Sequence, residues 1–184
     1  MVKKALVFLA DGFEEVEAIT PIDYLQRAGI TVTTAAVSGG EMVKGAHHVG
    51  ILADTTLEKL SVSAADWDAV VLPGGGKGSE NLAASEGVSR FVTAMAEADK
   101  LVCAICAAPA LVLAPLGLLK GRTWTCYPGM EEKTLGTWTA ERVAVDGNII
   151  TSRGAGTAGE FAAAIIGKLA GRTAAEQLAR SVLL

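Results

Sequence analysis

Residues 101–110 read LVCAICAAPA. Five apolar residues, Leu101–Ile105, run without a polar break, and Cys106 then opens a stretch of small residues ending in Pro109 and Ala110. A run that is apolar at every position suits a strand buried on both faces, as in a parallel sheet covered by helices. Two other runs are apolar on both faces behind a charged first residue: KALVFLA (4–10) after Lys4, and the strand over 68–72 inside WDAVVLPGGG after Asp68. The segments around them carry helical spacing. EEVEAITPIDYLQRAG (14–29) predicts a helix with Pro21 kinking or dividing it and Gly29 closing it. EGVSRFVTAMAEAD (86–99) places Val88, Phe91, Val92 and Met95 on one face.

Working outward, ITVTTAAV (30–37) predicts a second strand, and 39–54 short strands or a hairpin. APALVLAPLGLL (108–119) predicts a buried helix with Pro109 in its first turn. RTWTCY (122–127) and RVAVDGNIITS (142–152) predict strands, the latter a hairpin turning at Asp146-Gly147. Helices are expected over 157–171 and 173–184, with Thr173 capping the last and Glu176 three residues on. Alternating strands and helices make a doubly wound α/β fold. Without repeats or linkers, 1–184 is expected to form one domain.

The totals exclude several classes. A net charge of -4 and no basic cluster argue against nucleic acid. The 19 uncharged residues between Lys100 and Lys120 reach membrane-span length, but Pro109 and Pro115 break them and they divide into strand and helix. The apolar part of the N-terminal segment is too short for a secretory signal and runs straight into DGFEEVE. Three cysteines without paired spacing suit a reducing compartment, so a cytoplasmic protein is expected.

In an open parallel sheet, ligands bind outside the carboxyl ends of the strands. Three groups lie at such ends: Asp11 to Glu17, Gly74 to Gly78, and Cys106. A thiol at a strand-to-helix turn sits near a helix N-terminus, which favours thiolate. Position alone leaves two roles for Cys106 open, a nucleophile on an elbow or a buried structural thiol. Cys103 is expected on the opposite strand face, and both it and Cys126 read as structural. His47 and His48 are the chain's two histidines, and none follows Cys106. A Cys–His triad is therefore not indicated, no metal-ligand spacing accompanies the pair, and both read as surface residues. Glu14, Glu15 and Glu17 are either a solvated helix start or the source of a carboxyl sharing a proton with the thiol. LPGGGKG (72–78) lacks the Lys-Ser/Thr ending of a phosphate loop. Its N–H groups fit an oxyanion pocket better.

Together LADGFEEVEA (9–18), VLPGGGKGSENL (71–82), CAICAAPA (103–110) and TSRGAGTAGEFA (151–162) resemble the ThiJ/PfpI superfamily, in the branch of the Parkinson-disease-associated protein deglycase. The likeness runs from Ala5 to about Leu183. It implies a flavodoxin-like fold, a homodimer, a reactive Cys106, a protonated Glu17, and backbone donors at Gly74, Gly75 and Ala107. The sequence indicates no metal, nucleotide or flavin cofactor. The implied substrate is a small reactive carbonyl or a glycated adduct, handled as a glutathione-independent glyoxalase or deglycase: the thiolate adds to an α-oxoaldehyde and Glu17 relays a proton. A redox sensor or chaperone built on the same thiol is the alternative. An amidotransferase- or protease-like hydrolase ranks last, because Ala107 follows the cysteine and no later histidine exists. The sequence departs from relatives at Tyr127 (in TCYPG, where a histidine is common), at Ala155 in place of proline, and at His47 in place of an arginine.

Overall fold

The computed structural model describes residues 2–37, 39–61, 63–131 and 136–184. The strands are β1 (Lys4–Leu9), β2 (Thr31–Ala36), β3 (Met42–Lys44), β4 (Gly50–Leu52), β5 (Thr55–Thr56), β6 (Ala69–Leu72), β7 (Leu101–Ile105), β8 (Thr123–Trp124), β9 (Thr137–Trp138), β10 (Val143–Asp146) and β11 (Ile149–Ser152). The helices are α1 (Glu15–Arg27), α2 (Gly76–Ala84), α3 (Glu86–Glu97), α4 (Ala158–Ala170) and α5 (Arg172–Ser181). Seven strands form the main sheet, in the order β10-β11-β7-β6-β1-β2-β5. Its pairs are parallel except β10 with β11, the expected hairpin at Asp146-Gly147. β3 and β4 make the small antiparallel hairpin expected within 39–54.

The fully apolar strands do what their composition demands. Ala5, Val7 and Leu9 of β1, Val71 of β6, and Cys103 and Ile105 of β7 share one core with Ala18 and Leu25 of α1 and Phe161, Ile165 and Ile166 of α4. The intervening residues, Leu6, Phe8, Val70, Leu72, Val102 and Ala104, face the other side and meet Leu82 of α2 and Val88, Phe91, Val92 and Met95 of α3. Phe8 and Phe91 meet edge to face, their centroids 5.3 Å apart, a contact worth about 1 kcal/mol beyond its burial. This is the flavodoxin-like α/β architecture. The chain leaves β1 to one side, toward β2, and returns on the other as β6. That reversal puts the carboxyl ends of β1 and β6 at the switch point where open sheets bind ligands, with β7 beside them.

Four local expectations need correction. The predicted helix over 108–119 is a single π-turn, Pro109–Leu113, followed by turns; Pro115 has no N–H to continue it, and Gly117 takes φ +73. The strand predicted over 122–127 is only β8, paired with β9 outside the main sheet. The last helix is capped by Gly171 at φ +92, and Thr173 lies inside it. α2 went unread because two of its first three residues, Gly76 and Gly78, are poor helix formers; the turn forms by packing against residues 12–14, where the Gly12 carbonyl accepts the Gly78 N–H at 3.1 Å. Among the described residues, no helix is long and apolar enough to cross a membrane.

Candidate active site

Cys106 follows the last residue of β7 and takes φ +64, a left-handed conformation rare for a residue with a side chain. Two hydrogen bonds hold it there. Its N–H donates to the Ser152 carbonyl at 2.9 Å, and its own carbonyl accepts the Tyr127 N–H at 2.8 Å. The turn ends the strand's alternation of faces, so Cys106 packs against the same core cluster that contains Cys103. The expectation of opposite faces is corrected by that one dihedral. Cys103 and Cys126 are buried, and Cys106 is half-buried.

Glu17 lies in the first turn of α1, yet only 1 % of it is exposed. Its Oε2 accepts the Gly74 N–H at 2.9 Å, and its carboxyl is hydrogen-bonded to the Cys106 thiol. A methyl group on Gly74 would collide with both the Glu17 carboxylate and the Cys106 side chain. Gly75, at φ +86, turns the chain so that its N–H reaches the sulfur, as does the N–H of Ala107. Cys106, Glu17, Gly74, Gly75 and Ala107 thus come together from three strand ends.

The electrostatics differ from the expectation of a thiol eased into its charged form by a following helix. The π-turn is too short to act as a helix dipole. Burial, and next the charge of Glu17, push the Cys106 thiol up to about 12, while the Gly75 and Ala107 N–H groups pull it down. Burial likewise pushes the Glu17 carboxyl up to about 7, with a smaller push from the Glu14 charge; the thiol and the Gly74 N–H oppose it. Two adjacent buried acids resist ionising together, so the pair tends to hold one negative charge and one proton between them.

Glu15 serves differently. It accepts the His47 N–H at 2.6 Å, the Val49 N–H at 3.3 Å and a hydrogen bond with the His47 ring at 2.9 Å. Burial pushes its carboxyl up, but the His47 ring and the backbone N–H groups outweigh this and hold it below its usual value. His47 is exposed, as expected, and its pKa is raised by Glu15 and Glu14. Ligand atoms of Glu14, Glu15 and His47 lie within 4.8 Å of one another; the Glu15 oxygens are already taken up in binding the 45–49 loop to α1. Nothing in the spacing of residues more than thirty apart signals this cluster. Nor does it signal Gly154, where an added Cβ would lie 3.8 Å from the Glu17 Oε1 and 3.6 Å from the Tyr127 ring. Tyr127 is exposed.

The DJ-1/PfpI family model matches residues 3–168, which include all of these strand ends. The chain belongs to the DJ-1/PfpI family. Within that family, the crystal structure of Drosophila melanogaster DJ-1beta superposes with a TM-score of 0.94 at 44% identity, covering 100% of this chain and 99% of that one. A Toxoplasma gondii DJ-1 structure described as oxidized gives 0.91 at 32% identity, over 99% and 98% of the two chains. Deglycase PH1704 of Pyrococcus horikoshii is 33% identical over 82% of this chain and 89% of its own length.

The raised Glu17 pKa has a consequence for stability. In the fold Glu17 keeps its proton to about pH 7, against 4.5 for an ordinary glutamate. Its contribution is full below the unfolded value and is lost as pH rises through the folded one, on the order of 3 kcal/mol in all. Glu17→Gln should remove that part of the decline, so that denaturant titrations at pH values on either side of the window give a smaller stability difference for the variant than for the wild type.

Proposed function

We propose that this DJ-1/PfpI member is a cysteine-dependent enzyme acting on α-oxoaldehydes or their early adducts. The observation that carries the reading is the Glu17–Cys106 hydrogen bond beneath the N–H groups of Gly75 and Ala107. The thiol proton passes to the Glu17 carboxylate, which moves the single negative charge onto sulfur without changing the net charge of the pocket. The sulfur attacks the aldehyde carbon, forming an S–C bond, and the carbonyl oxygen takes the proton from Glu17. The product is a hemithioacetal. Glu17, again a carboxylate, removes the hydrogen on that carbon to form an enediolate. The hydroxyl proton moves from the C1 oxygen to the C2 oxygen, and Glu17 returns its proton to C2. C1 is thereby oxidised and C2 reduced, with no external redox agent. Water then adds to the thioester, the S–C bond breaks, and a 2-hydroxy acid leaves with the thiol restored. Early adducts of the same aldehyde on thiols or amines would enter after collapse of the hemithioacetal or hemiaminal: the hydroxyl loses its proton, the C–S or C–N bond breaks, the thiol or amine leaves with that proton, and Cys106 attacks the freed aldehyde, a route supported by the relative named as a deglycase.

Cys106→Ser and Glu17→Gln should each lower the formation of lactate from methylglyoxal at least about 100-fold. Wild-type turnover in either variant would end this reading.

A second reading, oxidation sensing, draws on Cys106 being the least buried of the three thiols. Sulfur attacks peroxide, the O–O bond breaks, and sulfenic acid and water form. Intact mass and peptide mapping after mild peroxide should place the added oxygen on Cys106. Equal oxidation of Cys103 or Cys126 would remove its basis.

We also propose a homodimer. Val16 and Ile19 on α1, with Met42, Val49 and Leu52 on the hairpin that Glu15 ties to that helix, leave large apolar side chains exposed. A second copy is the occupant the family resemblance implies. Ile19→Asp should halve the mass seen by light scattering; an unchanged mass would place the interface elsewhere.

A further inference from the structure

A second cavity opens beside the reactive pair. It has a volume of about 480 Å³, and its lining includes Tyr127, Ala140, Arg142, Arg153, Gly154 and Thr157. Two of these residues join it to the reactive pair. The Tyr127 N–H holds the Cys106 carbonyl, and Gly154 borders both the Tyr127 ring and the Glu17 carboxyl. The cavity therefore begins where the Cys106–Glu17 pair ends.

Its two guanidinium groups differ in their commitments. Arg142 is neutralised by Glu160, with its Nε 2.8 Å from Oε1. Arg153 donates one Nη1 hydrogen bond to the Ala140 carbonyl at 2.8 Å and lies over the Trp138 ring, 5.9 Å from its centroid. Among the described residues no carboxylate pairs with it. The carbonyl and the ring fix the side chain in place, and neither cancels its charge. Guanidinium donors in a fixed fork match carboxylate and phosphate oxygens.

We infer that Arg153 is the anion-recognising residue of this site, and that the preferred substrates carry a carboxylate or phosphate a few bonds from the carbonyl that Cys106 attacks. The inference rests on the thiol chemistry proposed above and adds the class of substrate. With the carbonyl carbon at the sulfur, the cavity receives the rest of the molecule. Arg153 anchors its anionic end, and Tyr127, on the same cavity lining, carries a hydroxyl with no partner among the described residues. His47 is held by Glu15 and supplies no comparable free cation.

The test uses two alkylating agents of nearly the same shape, anionic iodoacetate and neutral iodoacetamide. Their relative rates at Cys106 report capture of the anion, and the ratio cancels changes in the ionisation of the sulfur itself. It needs no turnover, so it can fail or succeed independently of the proposed enzymatic reaction. Arg153→Gln should lower the iodoacetate-to-iodoacetamide ratio about tenfold, the effect of losing one charge-assisted contact. Arg153→Lys, which keeps the charge, should hold it within about threefold of wild type. An Arg153→Gln ratio equal to the wild-type one overturns the inference. In the unaltered protein, inorganic phosphate or acetate should protect Cys106 from iodoacetate beyond chloride at the same ionic strength. Stronger protection by phosphate points to a phosphorylated substrate, and stronger protection by acetate to a carboxylate. Protection by neither overturns the proposal even if the Arg153 variants fail to fold.

Discussion

A glycine without room for a side chain holds the site together. Gly74 lies against both the Glu17 carboxyl and Cys106, and its N–H supplies a donor that a buried carboxyl needs. A larger residue there would force apart the groups whose hydrogen bond sets the charge in the pocket. Around it the chain is interlocked: the Gly74 carbonyl accepts the Glu14 N–H at 3.0 Å, and the Gly12 N–H donates to the Lys44 carbonyl at 2.7 Å. The first turn of α1 therefore cannot shift independently of the glycine turn after β6.

That constraint explains why one carboxyl and one thiol behave unlike their neighbours. Glu15, two residues from Glu17, is ringed by donors and held as an anion. Glu17 has fewer donors and deeper burial, so it keeps its proton toward neutrality. Cys103 shares a core with Cys106, but no donors beside it oppose burial, which pushes its thiol far up. Cys106 alone combines access, a proton-sharing partner and two N–H groups. Its strained turn is stabilised from outside, by Ser152 on β11 and by the Tyr127 backbone, so the elbow depends on segments distant from it in sequence.

Much of the fold was legible because burial writes itself into composition. Strands covered on both faces have apolar interiors, and β1 beyond Lys4, β6 and β7 could be read directly. The Asp146-Gly147 hairpin and α3 were also legible, since turn chemistry and helical spacing are local. Where reading failed, packing overrode local preference. α2 begins through glycines that disfavour helix but permit close contact with the Phe13 backbone. The stretch after Cys106 looks helical in its apolar content, yet Pro115 and Gly117 end it after one π-turn.

By itself the sequence determined a parallel sheet clad in helices, with chemistry at its carboxyl edge and Cys106 as a candidate thiol, because alternation and apolar runs are properties of neighbouring residues. Its motifs also carried the family resemblance that singled out Glu17. Only the tertiary structure decided how Glu17, Gly74 and Cys106 touch, that Cys106 leaves its strand on the same side as Cys103, and that Arg153 and Tyr127 border one cavity beside them. Those facts depend on distances between segments far apart along the chain. Such distances are set by the packing of three strand ends and the dihedral of a single residue, and no local pattern encodes them.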